Sequence, residues 1–497
     1  MSPDSEPTHD QAIGHVQTGQ ASSANNRSEA AHGKGLRTEQ IRNIALAGHA
    51  GAGKTLLLEA LLLAAGAIDS AGSIDHGNTV SDTDAQEKSR AHSIDSCVAH
   101  LEHGGCHLNL IDTAGHAEFF GGTLSALAAV ETVAVVVNAI NGIEHGTREL
   151  MTHARERGLA RLLVINKIDF DRADLGALVD TLREEFGSEC LPVNLPAGHG
   201  KRVLDCFFHK EGVTDFSSLA EGHQRILDQV VEINDVTMGQ YLESGETAIS
   251  SHQLHDAFEQ CLREGHLVPI CFVSARTGAG VHELLELAER LLPNPAEGNP
   301  PPFVRGASEA MVLSTDPSSH VVADVFKVAN DPLLGKLGIF RVWQGTVRRN
   351  SQLFVNDGRK PFKVNHLFRM QGKNYTEIDE AVAGDIAAVA KVEDVHFDAV
   401  LHDSHEEDHI ALAPMAIPSP TYALALETKP RGQEQKLATA LAKLMEEDPC
   451  IKVEHQKAPN STVLRGLSEL HLRVVLARVR ERYGVEVSAH PASAGDV

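Results

Sequence analysis

Apolar and polar positions along the chain change pattern twice. Between about 41 and 293, apolar runs of strand length alternate with stretches of helical periodicity. The runs are "NIALA" (43–47), "HLNLID" (107–112), "TVAVVVN" (132–138), "RLLVIN" (161–166) and "VPICFVS" (268–274). Continuous apolar strands separated by helices predict a mostly parallel sheet with helices on both faces. After residue 303 the pattern becomes alternating and β-branched with turn residues between runs, as in "VVADVFKVANDPLLGKLGIFRVWQGTVRRNSQLFV" (321–355). That predicts a small antiparallel barrel over 303–414. From about 420 the order reads strand, helix (433–448), strand, turn, helix (469–484), strand, a compact α+β domain.

Two proline-rich stretches punctuate this order, "LLPNPAEGNPPP" (291–302) and "MAIPSPTY" (415–422), and both read as linkers. Residues 1–40 are rich in Ser, His, Asn, Gly and Glu and are expected to be disordered. The 497 residues are enough for about three domains with substantial cores. No apolar run reaches the roughly 18 residues of a membrane span, and the N-terminus lacks the regions of a signal peptide. Seven scattered cysteines without a C-x-x-C pair fit reduced thiols, so a cytoplasmic location is expected. A net charge of −24 argues against indiscriminate nucleic-acid binding, and no sequence-specific DNA partner is expected. Local basic patches such as "RVRERY" (478–483) are read as solvated helix faces.

The candidate chemistry begins at "GHAGAGKT" (48–55), which has the spelling G-x-x-x-x-G-K-T on a strand-to-helix turn. Gly48 and Gly53 let the backbone curl so that the N–H groups of Gly48, His49, Ala50, Gly51, Ala52 and Gly53 line a phosphate chain. The helix that starts near Lys54 adds its positive end. Lys54 is suited to the β- and γ-phosphates, and the Thr55 hydroxyl to Mg²⁺. "LIDTAGH" (110–116) ends a strand with Asp112, placed to hold Mg²⁺, and the Gly115 amide suits a γ-phosphate. "VINKIDF" (164–170) ends another. Asp169 there offers two carboxylate oxygens to the N1 and N2 donors of guanine, with Asn166 and the Lys167 stem flanking the base. "FVSARTGAG" (272–280) supplies the Ala275 amide as a donor to guanine O6. These motifs lie in register at the C-terminal ends of strands, where α/β sheets bind ligands, and together they select a guanine nucleotide.

From about 41 to 490 the chain resembles elongation factor G and its elongation-factor-G-like paralogues. Besides the four motifs, "GNTVSDTDAQEKSRAHSI" (77–94) looks like the first switch segment of that family. "ADVFKVANDPLLGKLGIFRVWQGTV" looks like its second domain, and "LRGLSELHLRVVLARVRERYGVEV" carries the G-x-x-E-L-H-L signature of its third. The resemblance implies an α/β P-loop GTPase domain (41–294, with an insert at about 171–265), then an antiparallel β-barrel domain (303–414) and a small α+β domain (420–497). It implies GTP and Mg²⁺ as ligands, the ribosomal factor-binding site as partner, and a monomeric GTPase.

Residue by residue, the family implies that Ser93 completes the Mg²⁺ shell with Thr55 and Asp112. It also implies that His116 orients the attacking water, and that Ser274 joins Asn166, Lys167, Asp169 and Ala275 at the base. Four departures stand out. Gly51 replaces an aspartate of the phosphate loop, Ser93 replaces a threonine, Ala91 and His92 replace Gly and an apolar residue, and Ala114 replaces a proline, which loosens the second switch. The family continues with two further domains, and this chain ends at Val497. From that, weak hydrolysis and no translocation are expected, and a GTP-binding module without productive turnover is the alternative reading. "HDSHEEDH" (402–409) reads as a charged loop rather than a metal site, "HGGCH" (103–107) as a hairpin turn, and His471 as a packing residue.

Overall fold

Strand β1 (Ile41–Ala47) is buried at every position, as are β4 (Thr132–Asn138), β5 (Ala160–Asn166) and β9 (Val268–Phe272). Strands without a polar face must be covered on both sides. The covering helices are α1 (Lys54–Ala64), α3 (Phe120–Ala128), α4 (His145–Arg157) and α9 (Val281–Arg290); the short α2 (Ala85–Arg90) lies in the loop between α1 and the sheet's edge. This computed structural model describes residues 35–492 apart from 208, 307–308, 414, 430–431 and 456–461. Three further strands, β2 (Cys97–His103), β3 (Cys106–Asp112) and β6 (Cys190–Pro192), complete one sheet. Among the described residues its seven strands run in the order β2–β3–β1–β4–β5–β9–β6. The β2–β3 pair is antiparallel and the other neighbours are parallel. As expected, β2 and β3 meet through a tight hairpin, in which His103 faces Cys106 and Gly104 and Gly105 have φ of 55° and 85°.

The segment 171–265 is tied to this sheet, because its strand β6 extends the edge beside β9. It also holds α5 (Leu175–Phe186), the antiparallel pair β7 (Asn194–Ala197) and β8 (Arg202–Asp205), α6 (Leu219–Val231), α7 (Asp235–Ser244) and α8 (Ser251–Glu264). The linker 291–302 begins as a packed wedge. Leu291 and Leu292 are buried, and Pro295 lies so close under Gly384 that a Cβ on that glycine would meet its Cγ at 2.5 Å.

Residues 303–412 form antiparallel strands, as the alternating pattern predicts. The largest sheet is built on the pair Val322–Asp331 and Gly335–Gln344. Its core holds Val325, Phe340, Val342, Leu367 and Val389. The last domain runs strand, helix, strand, strand, helix, strand. Where one strand and a turn were expected between the two helices there is a second strand, Thr462–Gly466, which lies between Lys452–His455 and Tyr422–Lys429 and buries Val463 and Leu464.

Two other expectations need correction. Of the disordered tail expected over 1–40, residues 1–34 lie outside the described residues, but Thr38–Gln40 is a 3₁₀ turn. Thr38 is buried and donates from Oγ1 to Ala383 O at 2.7 Å. The basic stretch 478–483 is solvated only in part: Arg480, Glu481 and Arg482 are exposed, but Arg478 is 6% exposed and paired with Asp95. The helix Glu469–Tyr483 docks that side on the first domain, and an inward arginine needs a carboxylate partner.

A buried polar network bolts the first sheet to the second domain. Arg341 and Glu131 pair at 2.6 Å, 1% and 4% exposed, and Arg341 also donates to Ala129 O at 2.9 Å. Asn43 Nδ2 donates to Glu131 Oε2 at 2.8 Å and to Gly384 O at 2.9 Å. Glu131→Ala leaves the guanidinium buried and uncompensated, which costs about 3–5 kcal/mol. Urea unfolding of the variant should show that loss; an unchanged midpoint would refute the network's role.

Candidate nucleotide site

The first cluster is the phosphate loop. β1 delivers the chain to Gly48, whose φ is 152°, and a Cβ there would lie 2.4 Å from Val136 O, so only glycine fits. Gly53, with φ 94°, caps the N-terminus of α1. Lys54 is 6% exposed and donates from Nζ to Gly48 O at 2.9 Å and His49 O at 3.2 Å; burial pushes its pKa down. The His49 ring lies 3.6 Å from the Glu144 carboxylate. Gly115 lies against the loop, since a Cβ on it would meet Lys54 Nζ at 2.5 Å and Ala50 N at 2.7 Å.

The second cluster gathers the three expected Mg²⁺ ligands from three separate segments. Thr55 Oγ1 donates to Asp112 Oδ2 at 2.7 Å and lies 3.1 Å from Ser93 Oγ. Ser93 Oγ donates to Asp82 Oδ1 at 2.7 Å. Asp112 is fully buried, and burial pushes its carboxyl up to about 6; burial raises Asp82 as well. Asp82 Oδ2 is buried without a hydrogen-bond partner. Two carboxylates and two hydroxyls with an orphaned oxygen are an all-oxygen donor set that suits a hard divalent cation such as Mg²⁺. Sequence reasoning missed Asp82. Its only signal was an acidic residue inside the segment 77–94.

The third cluster is the base site, where all five expected residues come together. Asn166 Nδ2 donates to Ala52 O at 3.0 Å, and Lys167 Nζ to Gly51 O at 2.8 Å, tying this motif to the phosphate loop. Ser274 Oγ donates to Asp169 Oδ1 at 2.7 Å, and Arg276 pairs with Asp169 Oδ2. Burial opposes ionisation of Asp169, yet those two bonds hold its carboxyl below the usual range. The Ala275 N–H, expected to face guanine O6, donates to Asn166 Oδ1 at 3.0 Å. Arg276, also missed, directly follows Ser274 and Ala275 and sits 5.0 Å over the Phe170 ring.

His116 caps the 3₁₀ turn Ala117–Phe119, with its ring centroid 4.4 Å from that of His92. Burial first, then His92, pull its pKa down, which favours the neutral imidazole. Ala114 is 5% exposed, packs with Ile94, Phe119 and Val474, and its carbonyl accepts from Thr123 Oγ1 at 3.1 Å. Elsewhere, His402 is buried and bonds Ser404 O and Asn356 O at 2.8 and 2.7 Å, with Nε2 3.7 Å from Asp408 Oδ1, so it packs under the charged loop that follows. His471 is buried and bonds Asp448 at 2.7 Å, a packing role. Among the described residues no helix is long and apolar enough to cross a membrane.

Three family models match the chain. They are the elongation factor Tu GTP binding domain over residues 39–294, elongation factor G domain 2 over 320–401, and elongation factor G domain III over 417–491. The chain is 31% identical to an elongation factor G-like protein of Mycobacterium tuberculosis, in two strains alike. That match covers 90% of this chain and 66% of the relative, so the chain spans just under two thirds of its length. A crystal structure of a protein from Thermus thermophilus superposes with a TM-score of 0.80 at 32% identity, covering 92% of this chain and 68% of the other.

Proposed function

This chain belongs to the elongation factor G-like family of GTP-binding proteins, and from that premise we propose that it binds and hydrolyses GTP at the ribosomal factor-binding site, as a cytoplasmic monomer. The observation that carries the proposal is the meeting of Thr55, Ser93 and Asp112 beside the phosphate loop, with Asn166, Asp169 and Ser274 gathered at the neighbouring strand ends. Lys54 would move from its own loop carbonyls to the phosphate oxygens. Thr55, Ser93 and Asp112, with Asp82, would hold Mg²⁺, which supplies charge neutralisation at the phosphates. Asp169 would read the guanine edge. His116, neutral and able to accept a proton, would orient water towards the γ-phosphate.

A second reading, a ribosome-bound GTP module with slow turnover, draws on the packing of His116 against His92. Fluorescent-nucleotide titration and phosphate release with and without ribosomes test both. GTP preferred over ATP and faster release with ribosomes are expected. Preference without acceleration favours the second reading, and no preference defeats both.

A further inference from the structure

The helix Glu469–Tyr483 of the last domain reaches the segment that carries Ser93. Arg478 Nη2 donates to Asp95 Oδ2 at 2.7 Å and Nη1 to Oδ1 at 3.4 Å, while its Nε lies 3.4 Å from Asp84 Oδ2. Arg482 pairs with Asp84 and, at 2.9 Å, with Glu447. Gln86 Nε2 donates to Glu481 Oε1 at 2.8 Å. One turn further in, Val474 packs with Ile94 of the Ser93 segment and with Ala114 and Phe119 of the segment that follows Asp112. One helix face therefore touches both loops that flank the nucleotide site.

The anchoring passes inward through Glu87. Its buried carboxylate accepts from Thr83 N and Asp84 N at 3.1 and 3.0 Å through Oε2, and from Ile94 N and Asp95 N at 3.1 Å each through Oε1. Asp84 caps α2, which has only six residues. A helix that short has no stability of its own in water and depends on tertiary anchors. Asp82 directly precedes the first pair of anchored amides and Ser93 directly precedes the second.

We infer that Arg478 is a positioning residue for the nucleotide site: its fork on Asp95 and Asp84 holds the loop that presents Asp82 and Ser93 to Thr55 and Asp112. This rests on the reading of that cluster as the phosphate and Mg²⁺ site. Coupling is reciprocal, so a ligand that orders Ser93 also tightens the docking of the last domain. A lysine at 478 keeps the charge but loses the planar fork, and Arg482, already shared with Glu447, does not replace it on Asp95.

The test uses the full chain with Arg478→Gln and Arg478→Lys. Hydrogen exchange at the Ile94 and Asp95 amides is followed without nucleotide and with GTP and Mg²⁺, beside kcat and KM for GTP. For Arg478→Gln, exchange at those amides should rise about tenfold and kcat should fall about tenfold, with KM little changed. Arg478→Lys should lie between. Unchanged exchange at Ile94 and Asp95 overturns the inference. So does faster exchange spread equally through 472–479, which would mark general loss of the last domain. A parent protein that binds no GTP would defeat the nucleotide reading, while the exchange ratio without nucleotide still decides the role of Arg478.

Discussion

Asp169→Asn is expected to lower GTP affinity and raise affinity for xanthosine triphosphate, reversing the base preference. A carboxylate accepts from the N1 and N2 donors of guanine. An asparagine amide presents a donor instead, and xanthine offers a carbonyl at C2 to meet it. A site built around hydrogen bonds rejects the analogue that leaves its groups unpaired by ~10⁴-fold, which sets the scale of the change. The structure also supplies the reason to expect an intact fold. Ser274 Oγ, now 2.7 Å from Asp169 Oδ1, can donate equally to the carbonyl oxygen of the substituted amide, and the exposed Arg276 can turn to solvent. Titration with fluorescent nucleotides reads the result. An unchanged preference would mean that the strand ends near Asn166 and Ser274 do not read the base.

Lys54→Ala and His116→Ala should separate binding from chemistry. Lys54 is buried on two loop carbonyls beside the cluster of Thr55 and Asp112. Removing a buried cation from phosphate charge costs about 3–5 kcal/mol, a loss of ~10²–10⁴ in GTP affinity. His116 caps a 3₁₀ turn with its ring against that of His92, and among the described residues no side-chain hydrogen bond ties it to the phosphate-loop carbonyls that hold Lys54. His116→Ala should therefore leave GTP affinity within a few-fold. Its partner-stimulated hydrolysis should fall by ~10²–10³, the scale of losing one preorganised polar group. Equal losses of affinity in the two variants would refute the role given to His116.

What the amino-acid sequence determined by itself is local. The turn at residues 48–55 needs a strand end, glycines at fixed offsets and a helix start, all within about a dozen residues. The hairpin at Gly104 and Gly105 and the apolar strands that end in Asp112 and Asn166 are equally local. Their order along the chain was enough to recognise the family, and with it Ser93 and Ser274. What only the tertiary structure decided is pairing across distance. Arg478 meets Asp95 over 383 positions, and Arg341 meets Glu131 over 210. In a chain with 68 acidic residues, no local pattern tells which carboxylate an arginine will find. Asp82 was invisible for the same reason: its role comes from a buried oxygen left without a donor, a property of the packed loop and not of its neighbours in sequence. The solvated face expected at 478–483 failed on this point at Arg478, because a helix's inner side is defined only by what docks against it.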